Sequence, residues 1–216
     1  MPSAPIPIDA VIFDYGEVIA LSDAEDWARI VQIANVAGPV FSDAYWRYRL
    51  DYDRGWSPGF YWSQVANDCG AHFTLEQVRE LNEADANHWM HVDERVIDWI
   101  GRIKSAGKKL GMISNMPMGL VPIFRRALLW LDQFDSLVFS CELGIVKPDA
   151  RIYQHALKQL DVAAERALFI DDKDYNVNEA RSLGMHGITF DSLETIEPLV
   201  QQFDIPLPAV PDPLST

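Results

Sequence analysis

Cysteine is scarce in this chain: Cys69 and Cys141 are the only two among 216 residues. Two isolated cysteines build no disulfide framework and carry no C-x-x-C metal spacing, so the sequence reads as a protein of a reducing compartment that folds without staples. Basic residues are also few. Eighteen Lys and Arg stand against 32 Asp and Glu, a formal charge of −14 at pH 7, and a field of that sign repels nucleic-acid phosphates and anionic lipid surfaces. No run approaches the ~18 consecutive apolar residues of a membrane span. The opening MPSAPIPIDAVIFD has no basic stretch and meets Asp9 before its apolar run lengthens, unlike a secretory signal. The expectation is a cytoplasmic globular protein without nucleic-acid or membrane partners. Apolar residues, by contrast, make up 49% of the chain, enough for an ordinary core. The length fits one domain of about 150 residues with a substantial insertion.

Five short runs rich in Val, Ile, Leu and Phe read as buried strands: residues 10–13, 109–113, 136–139, 167–170 and 186–190. Helical spacing over 93–105, 119–131, 149–160 and 175–183 separates the later ones. Strand alternating with helix predicts a parallel sheet with right-handed crossovers, hence a three-layer, doubly wound α/β domain with a Rossmann-like core. The alternation breaks once, over residues 21–92, where helical patterns at 24–37, 42–53, 59–69 and 75–87 are separated by Gly38-Pro39, Trp56-Ser57-Pro58 and Gly70-Ala71. The reading is a core of residues 1–20 and 93–203, a helical cap of 21–92 over the carboxyl ends of the strands, and a Pro-rich extended tail of 204–216. Residues 21–23 and 92–94 are the expected hinges of the cap.

In an open α/β sheet the ligand site lies outside the carboxyl ends of the strands. There the sequence puts Asp14 after the first strand, Ser114 and Asn115 after the second, Ser140 after the third and Asp171-Asp172 after the fourth, with Lys147 in the loop following the third. Any one of these alone is more often a helix cap than a catalytic group. As a set, three carboxylates would repel one another unless a cation sat among them, and oxygen ligands suit Mg²⁺, which commonly joins one or two carboxylates to a substrate phosphate. A lysine and a serine would address the remaining phosphate oxygens. Such a set suits phosphoryl transfer through a carboxylate nucleophile.

The runs FDYGEVI around Asp14, MISN ending at Ser114-Asn115, IVKPDARIY around Lys147 and FIDDKDYNVNEA around Asp171-Asp172 resemble, in order, the four motifs of the haloacid dehalogenase-like (HAD) hydrolase superfamily, over residues 11–190. Within it the chain is similar to phosphatases with a helical cap after the first motif, including the group acting on α-D-glucose 1-phosphate. The resemblance implies a Mg²⁺-dependent phosphatase of small phosphorylated substrates. Asp14 is then the nucleophile, while Ser114 and Lys147 hold the phosphoryl group and Asn115 supports the phosphate loop. Asp14, the Gly16 carbonyl and Asp172 hold the metal, Asp171 is either a further ligand or holds a metal-bound water, and Asn176 orients a ligand water or Lys147. The chain departs from the family at Gly16, where D-x-D-G-[TV] has the acid that protonates the leaving group and then activates water. Losing such a group typically costs about 10²- to 10⁴-fold. Glu17, a cap acid or histidine, or the substrate itself could supply the proton. Two other readings stay open: a metal-free haloacid dehalogenase using Asp14, and a binding protein without turnover.

The cap is aromatic: Tyr45, Trp46, Tyr48, Tyr52, Trp56, Phe60, Tyr61 and Trp62 lie close together. The spacing of Tyr45, Tyr48 and Tyr52 predicts a stripe filling the cap core. Arg47, Arg49 and Arg54, interleaved with Asp51 and Asp53, predict a solvated helix face with ion pairs. His88 and His91 read as surface or packing residues away from the motif strands, with no third metal ligand nearby in sequence.

Overall fold

A computed structural model of the chain describes residues 4–209; the part of the expected tail beyond 209 lies outside it. The chain opens with β1 (Ala10–Phe13), all four residues fully buried. A short crossing, β2 (Ala20–Leu21), leads into α1 (Ala24–Ala34), α2 (Gly38–Arg47), α3 (Arg49–Asp53), α4 (Pro58–Asp68) and α5 (Leu75–His88), and β3 (His91–Val92) leads back. Then follow α6 (Glu94–Ser105), β4 (Lys109–Ser114), α7 (Val121–Ala127), β5 (Ser136–Phe139), α8 (Ser140–Leu143) and α9 (Ala150–Leu160). The last elements are β6 (Ala167–Asp171), α10 (Asp174–Ser182), β7 (His186–Thr189) and α11 (Leu193–Val200).

The sheet runs β5-β4-β1-β6-β7, and every neighbouring pair is parallel. Helices cover both faces, so β1 is apolar at every position and its side chains alternate between two cores. Val11 and Phe13 meet Trp99, Ile100 and Ile103 of α6 on one face. Ala10 and Ile12 meet Ile152, Tyr153 and Ala156 of α9 on the other. Gly111 of β4 lets the second core close, since a Cβ there would come within 2.9 Å of Leu160 and 3.0 Å of Ile12. The three-layer, doubly wound architecture is as the strand and helix alternation predicts.

The α1–α5 insertion has a core of its own, built on Phe41, Tyr45, Tyr52, Tyr61, Trp62 and Leu81. Its two connections run side by side: Ala20 pairs with Val92 and Leu21 with His91, antiparallel, and Asp93 N donates to Ile19 O at 2.9 Å. Two further ties hold the insertion to the core. Ser140 Oγ donates to Asp53 O (2.6 Å), and Asn82 Nδ2 donates to Gly119 O (3.1 Å).

Several elements differ from the sequence reading. The helix predicted over 42–53 is two helices broken at Tyr48, whose φ and ψ are −106° and 0°. Pro39, read as a separator, lies in the first turn of α2, where its missing N–H removes nothing. The helix predicted over 119–131 is shorter: α7 ends at Ala127, and residues 129–133 form a 3₁₀ turn. α11 is a helix that the sequence reading does not contain. The described residues after it, 201–209, form no helix or strand yet pack down: Ile205 and Pro208 are buried, Asp204 Oδ1 accepts from Ile8 N (2.6 Å), and Trp99 Nε1 donates to Pro206 O (2.6 Å).

Candidate active site

The parallel register brings the ends of β1, β4, β5 and β6 to one edge of the sheet, and the predicted residues come with them. Asp14, one residue past β1, is held by its own N–H donating to Ile170 O (2.8 Å), and one carboxylate oxygen accepts from Tyr15 N (2.6 Å). Lys147 is 3% exposed, and its Nζ lies 2.6 Å from Asp14 Oδ1 and 2.7 Å from Asp171 Oδ2. Asp171 is wholly buried; it also accepts from Asn176 Nδ2 (2.9 and 3.1 Å) and from Lys173 N (2.9 Å). Asn115 braces Lys147 through its backbone, accepting from Lys147 N (2.8 Å) and donating to Lys147 O (3.2 Å). Ser114 and Asp172 line the same cavity. Asn176 therefore orients Asp171 directly, and Lys147 only through it.

The charges do not balance locally. Asp14, Asp171 and Asp172 each bring a carboxylate oxygen within 4.8 Å of the others, against Lys147 and the half-exposed Lys173, which pairs with Asp172 at 2.6 Å. Burial pushes the Asp14 carboxyl above its usual range, Lys147 opposes the shift, and the Asp171 charge adds to it. Burial works against the Lys147 ammonium, yet Asp14 and Asp171 together hold it above its usual range. Asn176 Oδ1 is buried with no hydrogen-bond partner among the described residues. An all-oxygen donor set with surplus negative charge fits a hard divalent cation such as Mg²⁺. The turn at Gly16 is closed by Glu17 N donating to Ala20 O and Ala20 N donating to Tyr15 O, and the Gly16 carbonyl is not among these acceptors.

Above this floor lies a cavity of about 670 Å³ whose walls include Tyr15, Trp27, Trp46, Trp89, Leu120 and Phe124. Trp89 comes from the segment that joins α5 to β3. Tyr15 Oη donates to its carbonyl at 2.5 Å, and its indole covers Gly16, where a Cβ would sit 3.4 Å from the ring. A side chain at position 16 would thus start in contact with this ring, and the carboxyl of an Asp there would have to pack beside it. Gly16→Asp is expected to cost about 1–3 kcal/mol through overpacking, and Gly16→Ala, whose Cβ only reaches contact, distinctly less; urea unfolding of the two variants checks this. Glu17 has a positive φ of 56°, and its carboxylate accepts from Ser22 N at 3.4 Å.

The cap contributes a charged group that local patterning hid. Arg54 pairs with Asp51 and Arg47 with Asp68 in solvent, as expected of a helix face. Arg49 and Asp53 do not follow them and correct the expected solvated face: they are 8% and 7% exposed. The break at Tyr48 starts a new helix axis, and the Ser140 tie presses α3 onto the core, so these two side chains turn inward. Arg49 Nη1 donates to both carboxylate oxygens of Asp85 (3.0 and 2.9 Å) and to Tyr45 Oη, while its Nε donates to Asp53 Oδ1 at 3.2 Å. Arg49 and Asp53 both line the cavity over Asp14. The aromatic stripe is as predicted at two of its three positions: Tyr45 and Tyr52 are fully buried and Tyr48 only partly, while Trp46, outside the stripe, lines the cavity.

His88 is likewise nearer the site than its sequence position implied. It is buried on the cavity wall, Nδ1 2.7 Å from Asp23 O and the ring between Trp27 and Trp89. His91 is exposed and bonds Asp26 (2.8 Å), and the fold brings Asp23 beside this pair. Among the described residues no helix is long and apolar enough to cross a membrane.

Comparison with known proteins places this geometry in a family. The family model for hydrolase, haloacid dehalogenase-like hydrolase, matches residues 8–184. A sesquiterpene phosphatase of Aspergillus oryzae is 36% identical over 110 residues, 50% of this chain and 56% of that protein, so the chain spans about half the length of this relative. An (S)-2-haloacid dehalogenase of Pseudomonas sp. is 24% identical over 199 residues, 84% of each chain. A HAD family enzyme of Bacteroides thetaiotaomicron, solved in complex with magnesium and inorganic phosphate, shares the fold with a TM-score of 0.69 at 16% identity, over 85% of this chain and 94% of that one. With most of its length matched and the motif residues gathered at one sheet edge, the chain belongs to the haloacid dehalogenase-like hydrolases.

Proposed function

We propose that the chain is a magnesium-dependent phosphatase hydrolysing a small phosphate monoester with an apolar body, through an aspartyl-phosphate on Asp14. The observation that carries this reading is Lys147 bridging Asp14 and Asp171 on the floor of an aromatic-walled cavity. Asp14 is the nucleophile, kept with one oxygen on Lys147 and Tyr15 N. Ser114 donates a hydrogen bond to a phosphoryl oxygen, and the Lys147 ammonium neutralises charge that builds on the transferring group. Asn115 and Asn176 are positioning residues, the first for Lys147 and the second for Asp171. Asp14, Asp172, Asp171 and the Gly16 carbonyl would hold the metal. Bound there, Mg²⁺ supplies positive charge that draws the phosphate against the carboxylates.

The walls favour an apolar substrate group over the sugar that the motif resemblance suggested, because Trp27, Trp46, Trp89, Leu120 and Phe124 offer little to hydroxyls. The relative named as a sesquiterpene phosphatase agrees with this preference. Phosphate release from a panel of aryl, isoprenoid and sugar monoesters, with and without Mg²⁺, tests the reading, with Asp14→Asn as control. Mg²⁺ is expected to raise the melting temperature of the wild type, and apolar esters are expected to give the highest kcat/KM. Halide release from 2-haloacids that resists chelators would transfer the assignment to a dehalogenase. Phosphate binding without Asp14-dependent release would transfer it to a binding protein.

A further inference from the structure

The site as described has a nucleophile and a cationic floor but no group assigned to protonate the leaving group: position 16 is a glycine lying against the Trp89 ring and brings no acid. Resting on the phosphatase reading above, we infer that Asp53 of the cap is the catalytic acid and base, reaching the substrate's leaving oxygen from the cap side of the cavity that Asp14 also lines.

Three features of the structure argue for Asp53. It is an acid of the cap that lines the cavity together with Asp14, Ser114 and Lys147. Its backbone is fixed to the site: Asp53 O accepts from Ser140 Oγ (2.6 Å), and that hydroxyl accepts from Met116 N (2.9 Å), two residues beyond Ser114. Lastly, it is the surplus acid of a buried network. Asp85 accepts from Arg49 Nη1 on both of its oxygens at 3.0 and 2.9 Å, whereas Asp53 receives only the longer Nε contact at 3.2 Å on one oxygen. One guanidinium thus faces two carboxylates, and the less well held of the two has its side chain 10% exposed.

The surroundings suit proton exchange near neutrality. Burial pushes the Asp53 carboxyl up to about 7, with Arg49 and Lys147 pulling down and Asp85 pushing up. The other titratable groups around it are Tyr45, Tyr52 and Tyr61 of the cap and Cys141 of the core, all held protonated by burial. A general acid with such a value is matched to its task. The alternatives on the wall are less well placed: the Glu17 carboxylate turns back to Ser22 N, and His88 is pinned through Nδ1 to Asp23.

The proton balance closes. As an Asp14 oxygen bonds to phosphorus and the ester P–O bond breaks, the Asp53 proton passes to the leaving oxygen, giving the alcohol. Asp53, now a carboxylate, takes a proton from water. The water oxygen bonds to phosphorus, the Asp14–phosphorus bond breaks, and phosphate leaves with Asp53 protonated again.

The test compares p-nitrophenyl phosphate, which leaves without help, with 3-phenylpropyl phosphate, which does not, both with Mg²⁺, on wild type and Asp53→Asn. Phosphate held on the protein is counted by mass spectrometry after acid quench. Asp53→Asn is expected to lower kcat on the alkyl ester by about 10²- to 10⁴-fold; on the aryl ester it is expected to release one equivalent of nitrophenol and then stall with phosphate on Asp14. In the wild type, the phosphorylated fraction during aryl-ester turnover is expected to rise as the pH falls below about 7, a measurement that does not depend on the variant folding. Equal losses on both esters with no phosphate retained would overturn the assignment, as would a pH-independent phosphorylated fraction or retention in His88→Gln instead. If the wild type releases no Asp14-dependent phosphate from either ester, the phosphatase reading fails and Asp53 falls with it.

Discussion

Asp14→Asn is expected to lower turnover by roughly 10⁴- to 10⁶-fold, the range seen when a nucleophile or its essential partner is removed, while leaving the protein folded. The substitution keeps the shape of the side chain. Its remaining oxygen still accepts from Tyr15 N, and β1 is fixed by neighbours on both sides rather than by this carboxylate. The lost charge relieves crowding, since Asp14 faces Asp171 across a single lysine. The variant should therefore melt no lower than the wild type without metal, and should bind phosphate with Mg²⁺ but not release it from esters. Calorimetry and the ester panel together check this; a variant that unfolds, or one that keeps a tenth of the activity, would remove Asp14 from the role proposed.

Lys147→Met carries the largest expected effect on stability. Lys147 Nζ is the cation between two buried carboxylates, and removing one partner of a buried pair leaves charge uncompensated at a cost of about 3–5 kcal/mol. The pH dependence has a definite sign. Asp14 already sits above its usual range through burial, and without the ammonium it sits higher, so the folded variant binds a proton that the unfolded chain releases near the usual carboxylate value. The loss is then full only on the alkaline side of neutral, above the raised folded value, and shrinks as the pH falls through neutral toward the unfolded carboxylate range. Mg²⁺ should recover more stability in the variant than in the wild type, because it restores the missing positive charge. Urea unfolding across pH, with and without Mg²⁺, reads both effects; a loss that does not shrink in acid would mean that packing, not charge, was removed.

The sheet and its functional edge were legible because both depend on short-range signals. Buried parallel strands are apolar at every position, as 10–13 and 167–170 are, and the residue that follows such a strand falls at one edge of the sheet whatever lies between. Asp14, Ser114, Lys147 and Asp171 could thus be brought together from the sequence alone. Arg49 and Asp53 could not. Their i,i+4 spacing is the spacing of an exposed ion pair, and only the break at Tyr48 and the docking of α3 on Ser140 turn them inward. Trp89 at Gly16 is a contact between residues 73 positions apart, with no local trace. His88 shows the same limit: one histidine beside a tryptophan reads as packing, and packing is what its ring does, yet the wall it packs into is that of the site.

The ribbon formed by Ala20–Leu21 and His91–Val92 has a consequence for tolerance to change. It closes the insertion at its base, holding the two ends of the inserted chain side by side. The entropy of bringing those ends together is then met once, at the ribbon, and grows only slowly with the number of residues beyond it. Lengthening or shortening the insertion is then expected to leave β1 and α6 where they are, so that the cavity over Asp14 changes size without a change in the register of the sheet.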